Sequence, residues 1–253
     1  PYTLGTHARS DHDDFRPEVH DSDGLMVIRA DGEEMWRPLK NPQTLALSYF
    51  QESSPRAFGL LQRDRDFSHY QDTEARYDLR PSLMIEMLGD WGNGVIELVE
   101  IPTDSEANDN IVAFWVPETK ATAGSAMEFR YLMKWGLSTM DETLMARVSG
   151  TYVGVGGNAA EANENPSSRR FAINFTGGSI HNLPPDAKLD PLVDMPSNAR
   201  LLDSSLSRLP DGGWRLSLEI ERDDDQPVEL RVKLSMLQRI VSETWLYQWT
   251  STT

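Results

Sequence analysis

Two stretches of this 253-residue chain concentrate the side chains of acid–base chemistry. The first, Asp-Phe-Arg-Pro-Glu-Val-His-Asp-Ser-Asp-Gly-Leu from Asp14 to Leu25, gathers Arg16, Glu18, His20, Asp21 and Asp23 ahead of an apolar run. In extended backbone side chains alternate, so Asp21 and Asp23 are expected on one face, with Gly24 permitting a sharp exit. The second stretch, 97–115, reads as a strand ending at Pro102, a loop bearing Asp104, Glu106 and Asp109, and a second apolar strand. A loop held between two strands keeps its acids both accessible and fixed. Glycoside hydrolysis needs such a pair: one carboxylic acid protonates the leaving oxygen while another carboxylate activates water or attacks the sugar. Spacing does not choose among these acids, and each also reads as a solvated charge in a strongly negative chain.

Between the two acidic stretches, 36–42, 58–72 and 76–82 alternate aromatic residues with Arg and Asp, including Trp36, Arg63 and Tyr77. Rings that stack on pyranose faces and charged groups that bond hydroxyls make a sugar-binding cleft. Arg–Asp pairs bracing long loops would give the same composition. The chain has no cysteine, which excludes disulfides and thiolate metal sites. His12, His20, His69 and His181 lack metal-ligand spacing, and the loop around Gly24 fails the EF-hand pattern at Val19 and Ala30. No phosphate-cradling loop, dinucleotide fingerprint or nucleophile elbow is present, so no metal and no cofactor are expected.

The elements that must position these residues read as β. Runs at 25–30, 59–61, 95–101, 111–115, 127–135, 171–175, 214–220, 228–234 and 244–249 are strand candidates. Asp31-Gly32, Gly89-Asp90, Asn93-Gly94, Gly177-Gly178 and Asp211-Gly212-Gly213 punctuate them as turns. Only 42–49 and 235–241 suggest a helical turn or two, and 154–168 reads as a long loop, either a solvated hairpin tip or a lid over a cleft. The length suits two domains, 1–135 and 136–253, the second of a size for an immunoglobulin-like sandwich without its disulfide.

Charge narrows the partners. With 24 Lys and Arg against 40 Asp and Glu, the formal charge is −16, which argues against nucleic acid and anionic lipid and favours a neutral or cationic ligand. No run approaches the roughly 18 apolar residues of a membrane span, and no signal segment opens the chain. A soluble protein is expected, as a mature or trimmed chain that begins at Pro1 with a front portion missing.

The motifs at 14–24, Trp36-Arg-Pro-Leu39, Phe58-Gly-Leu-Leu-Gln-Arg-Asp-Arg65, Leu79-Arg-Pro-Ser82, Glu97-Leu-Val-Glu-Ile-Pro-Thr103 and Asp109-Asn-Ile-Val112 resemble the osmoregulated periplasmic glucan biosynthesis proteins G and D, in their C-terminal half. The resemblance implies an all-β fold, the C-terminal part of a galactose-mutarotase-like β-sandwich followed by an immunoglobulin-like β-sandwich. It implies the Gram-negative periplasm, a β-1,2-linked glucan as substrate, and an inverting β-1,2-glucanase with Asp109 as general acid and Asp21 as general base. Glu106 and Tyr77 would line the same site, and Asp23, Arg16, Trp36 and Arg63 join them as substrate-binding candidates. An inverting pair should stand roughly 6.5 to 9.5 Å apart, with Asp109 kept protonated by like charge on Glu106. Met84-Ile-Glu-Met87 departs from a tryptophan-bearing family stretch at one sugar subsite, and Tyr152 stands where a basic residue is expected beside the 154–168 loop. A non-hydrolytic glucan-binding factor or a transglycosylase is the alternative. The missing N-terminal half as a separate chain, and a homodimer, are both compatible with the resemblance.

Overall fold

The computed structural model describes residues 3–5, 15–138, 143–158, 163–184 and 186–250, and it is nearly all β. Two compact units divide the chain, Pro1–Asp141 and Glu142–Ser251. Asp14 and His12 lie outside the described residues, as do residues 139–142 at the junction.

The first unit contains β1 (Thr3–Gly5), β2 (Val19–His20), β3 (Gly24–Ile28), β4 (Glu34–Pro38), β5 (Ala46–Ser53), β6 (Ala57–Leu61), β7 (Ser82–Leu88), β8 (Asn93–Glu100), β9 (Ile111–Pro117) and β10 (Arg130–Gly136). Strands β10, β7, β6, β3 and β4 lie side by side in that order, all antiparallel. A second sheet runs β5-β8-β9, and β1 pairs with β2. Leu25, Met26 and Val27 are buried, which is why β3 reads as an unbroken apolar run rather than an alternation. Gly24 opens β3 for a steric reason: a Cβ there would fall 1.9 Å from Cζ2 of Trp36. The β3–β4 hairpin turns at Asp31-Gly32, where Gly32 has φ +93° and the Asp31 carboxylate accepts the Glu33 amide at 2.9 Å.

The second unit contains β11 (Arg147–Asn158), β12 (Asn163–Thr176), β13 (Asp190–Asp194), β14 (Ala199–Arg208), β15 (Trp214–Arg222), β16 (Val228–Met236), β17 (Arg239–Ile240) and β18 (Thr244–Trp249). One sheet runs β11-β12-β15-β14, and in the other β16 lies between β18 and β13 with β17 also on β16. Phe171 of β12 meets Trp245, Tyr247 and Trp249 of β18 with ring centroids 5.8, 5.3 and 6.4 Å away, so aromatic rings fill the space between these sheets.

Four expectations are corrected. The helical turns read at 42–49 give way to β5, because that segment finds a full-length partner in β8, from Ala46↔Glu100 to Ser53↔Asn93. Residues 235–241 form a hairpin, with Leu237 and Gln238 at φ 50° and 63° in the turn that links β16 to β17. Asn93-Gly94 opens β8 rather than turning. The 154–168 segment is largely strand: β11 and β12 stay paired out to Asn158↔Asn163, and Glu219 of β15 accepts the Gly157 amide at 2.8 Å and the Ser168 hydroxyl at 3.2 Å. Only its tip, 159–162, lies outside the described residues.

Candidate functional site

Asp21-Ser22-Asp23 is the irregular link between β2 and β3, so strict alternation does not apply to it. Asp21 faces a cavity of about 550 Å³. Asp23 turns instead to the main chain, where its Oδ2 accepts the amides of Arg63 and Asp64, each at 2.8 Å. The expected shared face therefore divides: one acid opens to the cavity, and the other pins the segment after β6. Burial pushes the Asp23 carboxyl up, against the opposing pull of His20 and those two amides.

Asp109 reaches the same cavity from the second acidic stretch. Its loop is held at the base by Ile101 N to Asn110 O at 2.8 Å and by the buried Asn110 side chain on the Ile101 carbonyl at 2.9 Å. Reciprocal hydrogen bonds between Asn41 and Thr103, 2.6 and 3.0 Å, fix its outer limb. At the end of β8, Glu100 takes Arg37 at 3.1 Å and the Lys40 amide at 2.8 Å, with both ionic side chains buried. The Asp21–Asp109 cavity is completed by Leu60, Arg80, Ile85 and Trp135. Ile85, from the stretch that departs from the family pattern, thus contributes an aliphatic wall.

Arg16 links the two acidic stretches. Its Nη2 donates to Glu106 Oε2 at 2.7 Å and its Nη1 to Asp72 Oδ2 at 2.8 Å. Burial pushes Asp72 up, but the Ala75 amide and then Arg16 outweigh it, leaving the carboxyl below its ordinary value. Glu106, expected to crowd Asp109 with like charge, has its own charge met by Arg16. Tyr77 is buried, and burial followed by the charge of Glu106 raises its phenol to about 12. Trp36 is buried as well, with the Arg63 guanidinium 3.5 Å from its ring centroid, so these two stack on one another.

Glu18, Asp64 and His69 bring ligand atoms within 4.8 Å of one another, a grouping that their separation in sequence conceals. Both carboxylates already have histidine partners: Asp64 Oδ2 lies 2.5 Å from His69 Nδ1, and Glu18 Oε2 lies 3.1 Å from His20 Nε2. We read the group as a closed hydrogen-bonded set rather than a ligand shell. Sequence reasoning passed over Gln62, Asp72, Arg80 and Trp135 as actors. The 58–65 motif had contained Gln62, the 79–82 motif Arg80 and the 58–72 stretch Asp72, without a role for any of them.

Fold and site together define an all-β protein with two carboxylates from distant segments facing one cleft. The chain belongs to the family described as periplasmic glucan biosynthesis protein, MdoG, whose family model matches residues 1–249. It is 48% identical over 244 residues to Glucans biosynthesis protein G of Cereibacter sphaeroides, covering 95% of this chain and 45% of that protein. Glucans biosynthesis protein G of Pseudomonas aeruginosa is 44% identical over 257 residues, 98% of this chain and 48% of its own length. Glucans biosynthesis protein G 1 of Shewanella oneidensis is 43% identical over 243 residues, 96% and 43% respectively. The chain thus spans about half the length of the curated relatives it matches. Among the described residues, no helix is long and apolar enough to cross a membrane.

Proposed function

We propose that this chain acts on a β-1,2-linked glucan in the Gram-negative periplasm as an inverting β-1,2-glucanase. Asp109 serves as general acid toward the glycosidic oxygen, and Asp21 serves as general base that activates water on the opposite face of the sugar. The observation that carries this reading is the convergence of Asp21 and Asp109 on one cavity from segments far apart in sequence. A binding function alone does not require a carboxyl pair. Arg16, by holding Glu106 beside Tyr77, would shape the same subsite, while Arg80 and Trp135 offer a hydroxyl-binding cation and a stacking ring.

The test is release of new reducing ends from linear β-1,2-glucan by the purified protein and by Asp109→Asn, with the first-formed anomer read by NMR. Release that is lost in the variant and begins with inverted configuration supports the reading. No release from folded wild-type protein overturns hydrolysis. A second reading, a glucan-binding factor or a transglycosylase, draws on two observations: the relatives are named for biosynthesis, and Leu60, Leu83 and Ile85 give the cleft an apolar wall that would discourage water.

A further inference from the structure

His20 is 1% exposed, yet oxygen faces both of its ring nitrogens. Nδ1 lies 2.9 Å from Gln62 Oε1, and Nε2 lies 3.1 Å from Glu18 Oε2. The far end of the Gln62 side chain fixes which way its amide points. There the NH2 group, with two protons for three oxygens, faces the His20 carbonyl at 2.9 Å, the Tyr70 hydroxyl at 2.8 Å and the Tyr77 carbonyl at 3.2 Å, one proton being shared between two of them. The Tyr70 hydroxyl can accept because it donates its own proton to the Asp64 carbonyl at 3.0 Å. Acceptors on that side require the NH2 group there, so Oε1 faces the ring and Nδ1 carries a proton. Nε2 faces a carboxylate, which favours a second proton there, and Tyr70 packs on the ring edge-on at 5.2 Å.

One amide thus grips His20 twice, by side chain and by main chain, and holds Tyr77 with the same NH2. The His20 carbonyl belongs to the planar peptide group that leads into Asp21, so its placement sets where the Asp21 side chain starts. Tyr77 lies on the opposite limb, in the short turn Tyr77–Leu79 that precedes Arg80 of the cleft.

We propose that the His20–Gln62 interlock is a positioning device of the glucan-acting site, fixing the strand end that carries Asp21 and the turn that carries Tyr77 at one spacing. This rests on the reading of Asp21 as general base. Neither residue touches the sugar; they act through the residues they hold. Glu18 and Asp23 flank the ring with negative charge, and Gln62 and Tyr70 supply its neutral neighbours.

Two variants separate the parts of the device. Gln62→Glu keeps an acceptor toward Nδ1 but replaces the donor toward both carbonyls with an oxygen, and Gln62→Met removes both. On linear β-1,2-glucan, Gln62→Glu should lower kcat about 10- to 100-fold while KM moves less than about threefold, since an ångström of misplacement costs on that scale. A folded Gln62→Glu protein with kcat within about twofold of wild type overturns the proposal, because a positioning bond cannot be lost without cost to turnover.

Backbone amide exchange, which needs no turnover, is the second readout. Gln62→Met should speed exchange at 19–23 and at 77–80 together, and acceleration at one segment alone, or at neither, overturns the interlock. Wild-type protein and Asp109→Asn run in the same glucan assay keep the two readings apart. A silent wild type overturns hydrolysis, and amide exchange still decides the interlock.

Discussion

Arg16 and Glu106 stand 90 residues apart in sequence and 2.7 Å apart in the fold. That bond ties the stretch carrying Asp21 to the loop carrying Asp109, and the second arm of the guanidinium reaches Asp72 in a third segment. Arg16 thus braces the two acidic stretches against one another. Arg16→Leu should therefore lower kcat/KM on β-1,2-glucan by about tenfold, the scale of one charge-assisted hydrogen bond on a half-exposed pair. Because Glu106 stays 43% exposed, added salt should weaken the proposed activity of the wild-type protein and leave the variant nearly unaffected. Kinetics at two ionic strengths check both statements, and an Arg16→Leu protein with unchanged kcat/KM would remove the brace from the account.

Asp21 and Asp23, two residues apart, should fail in different ways. Asp21→Asn removes the proposed base and should cut turnover about 10²- to 10⁴-fold, the usual contribution of one acid–base group. Its melting temperature should fall less than that of Asp23→Ala, since the side chain faces the cavity. Asp23→Ala strips the acceptor from two main-chain amides and should cost about 1–2 kcal/mol in stability, as lost caps do. Thermal melts beside rates on the same preparations separate the two outcomes. Equal rate losses with equal melts would show that Asp23 also faces substrate.

The two acidic stretches, the turn at Asp31-Gly32 and the closing strand at 244–249 were legible because each carries its cause locally: charge density, a glycine at positive φ, an alternating or continuous apolar run. Strand β5 was not legible. Its Ala46–Ser53 sequence takes strand form only because β8 lies beside it, and a partner chosen by the fold leaves no local mark. Trp36 and Arg63 suggested a sugar platform by composition, and nothing in composition tells a stacked internal pair from an open ring. Gln62 stood inside the 58–65 motif, yet its role was silent for the same reason. Its weight comes from acceptors at His20, Tyr70 and Tyr77, which the fold alone brings together.

Stability should fall on the alkaline side through His20. Burial alone would lower its pKa, but the Glu18 hydrogen bond and the charges of Asp23 and Glu18 outweigh it, so the folded value lies above 6.5. A group raised on folding contributes fully below its unfolded pKa and loses that contribution as pH rises through the folded one. The His20 contribution to the melting temperature should thus be full below pH 6.5 and decline above it. His20→Gln should be less stable at low pH and flatter in its decline. His69, raised chiefly by its Asp64 hydrogen bond, slopes the same way in both proteins, so the difference between the two curves isolates His20. Parallel curves would mean that the ring is not charged in the fold.

The loop bearing Asp109 grows from Glu100, whose carboxylate is wholly buried against an Arg37 side chain only 3% exposed. Removing Glu100 strips a buried guanidinium of this carboxylate, so Glu100→Ala should cost about 3–5 kcal/mol. Replacing both, Arg37→Met with Glu100→Leu, should recover part of this, because well-packed apolar residues can substitute for a buried pair. Recovery stays incomplete for a specific reason. The Lys40 amide also depends on Glu100, and stranding it costs about 1–3 kcal/mol in its own right. A double-mutant cycle by chemical denaturation measures the coupling, and glucan turnover in the double variant reports whether the Asp109 loop keeps its seat. A single-variant cost below about 1 kcal/mol would place this pair with exposed ion pairs and deny it any hold on the loop.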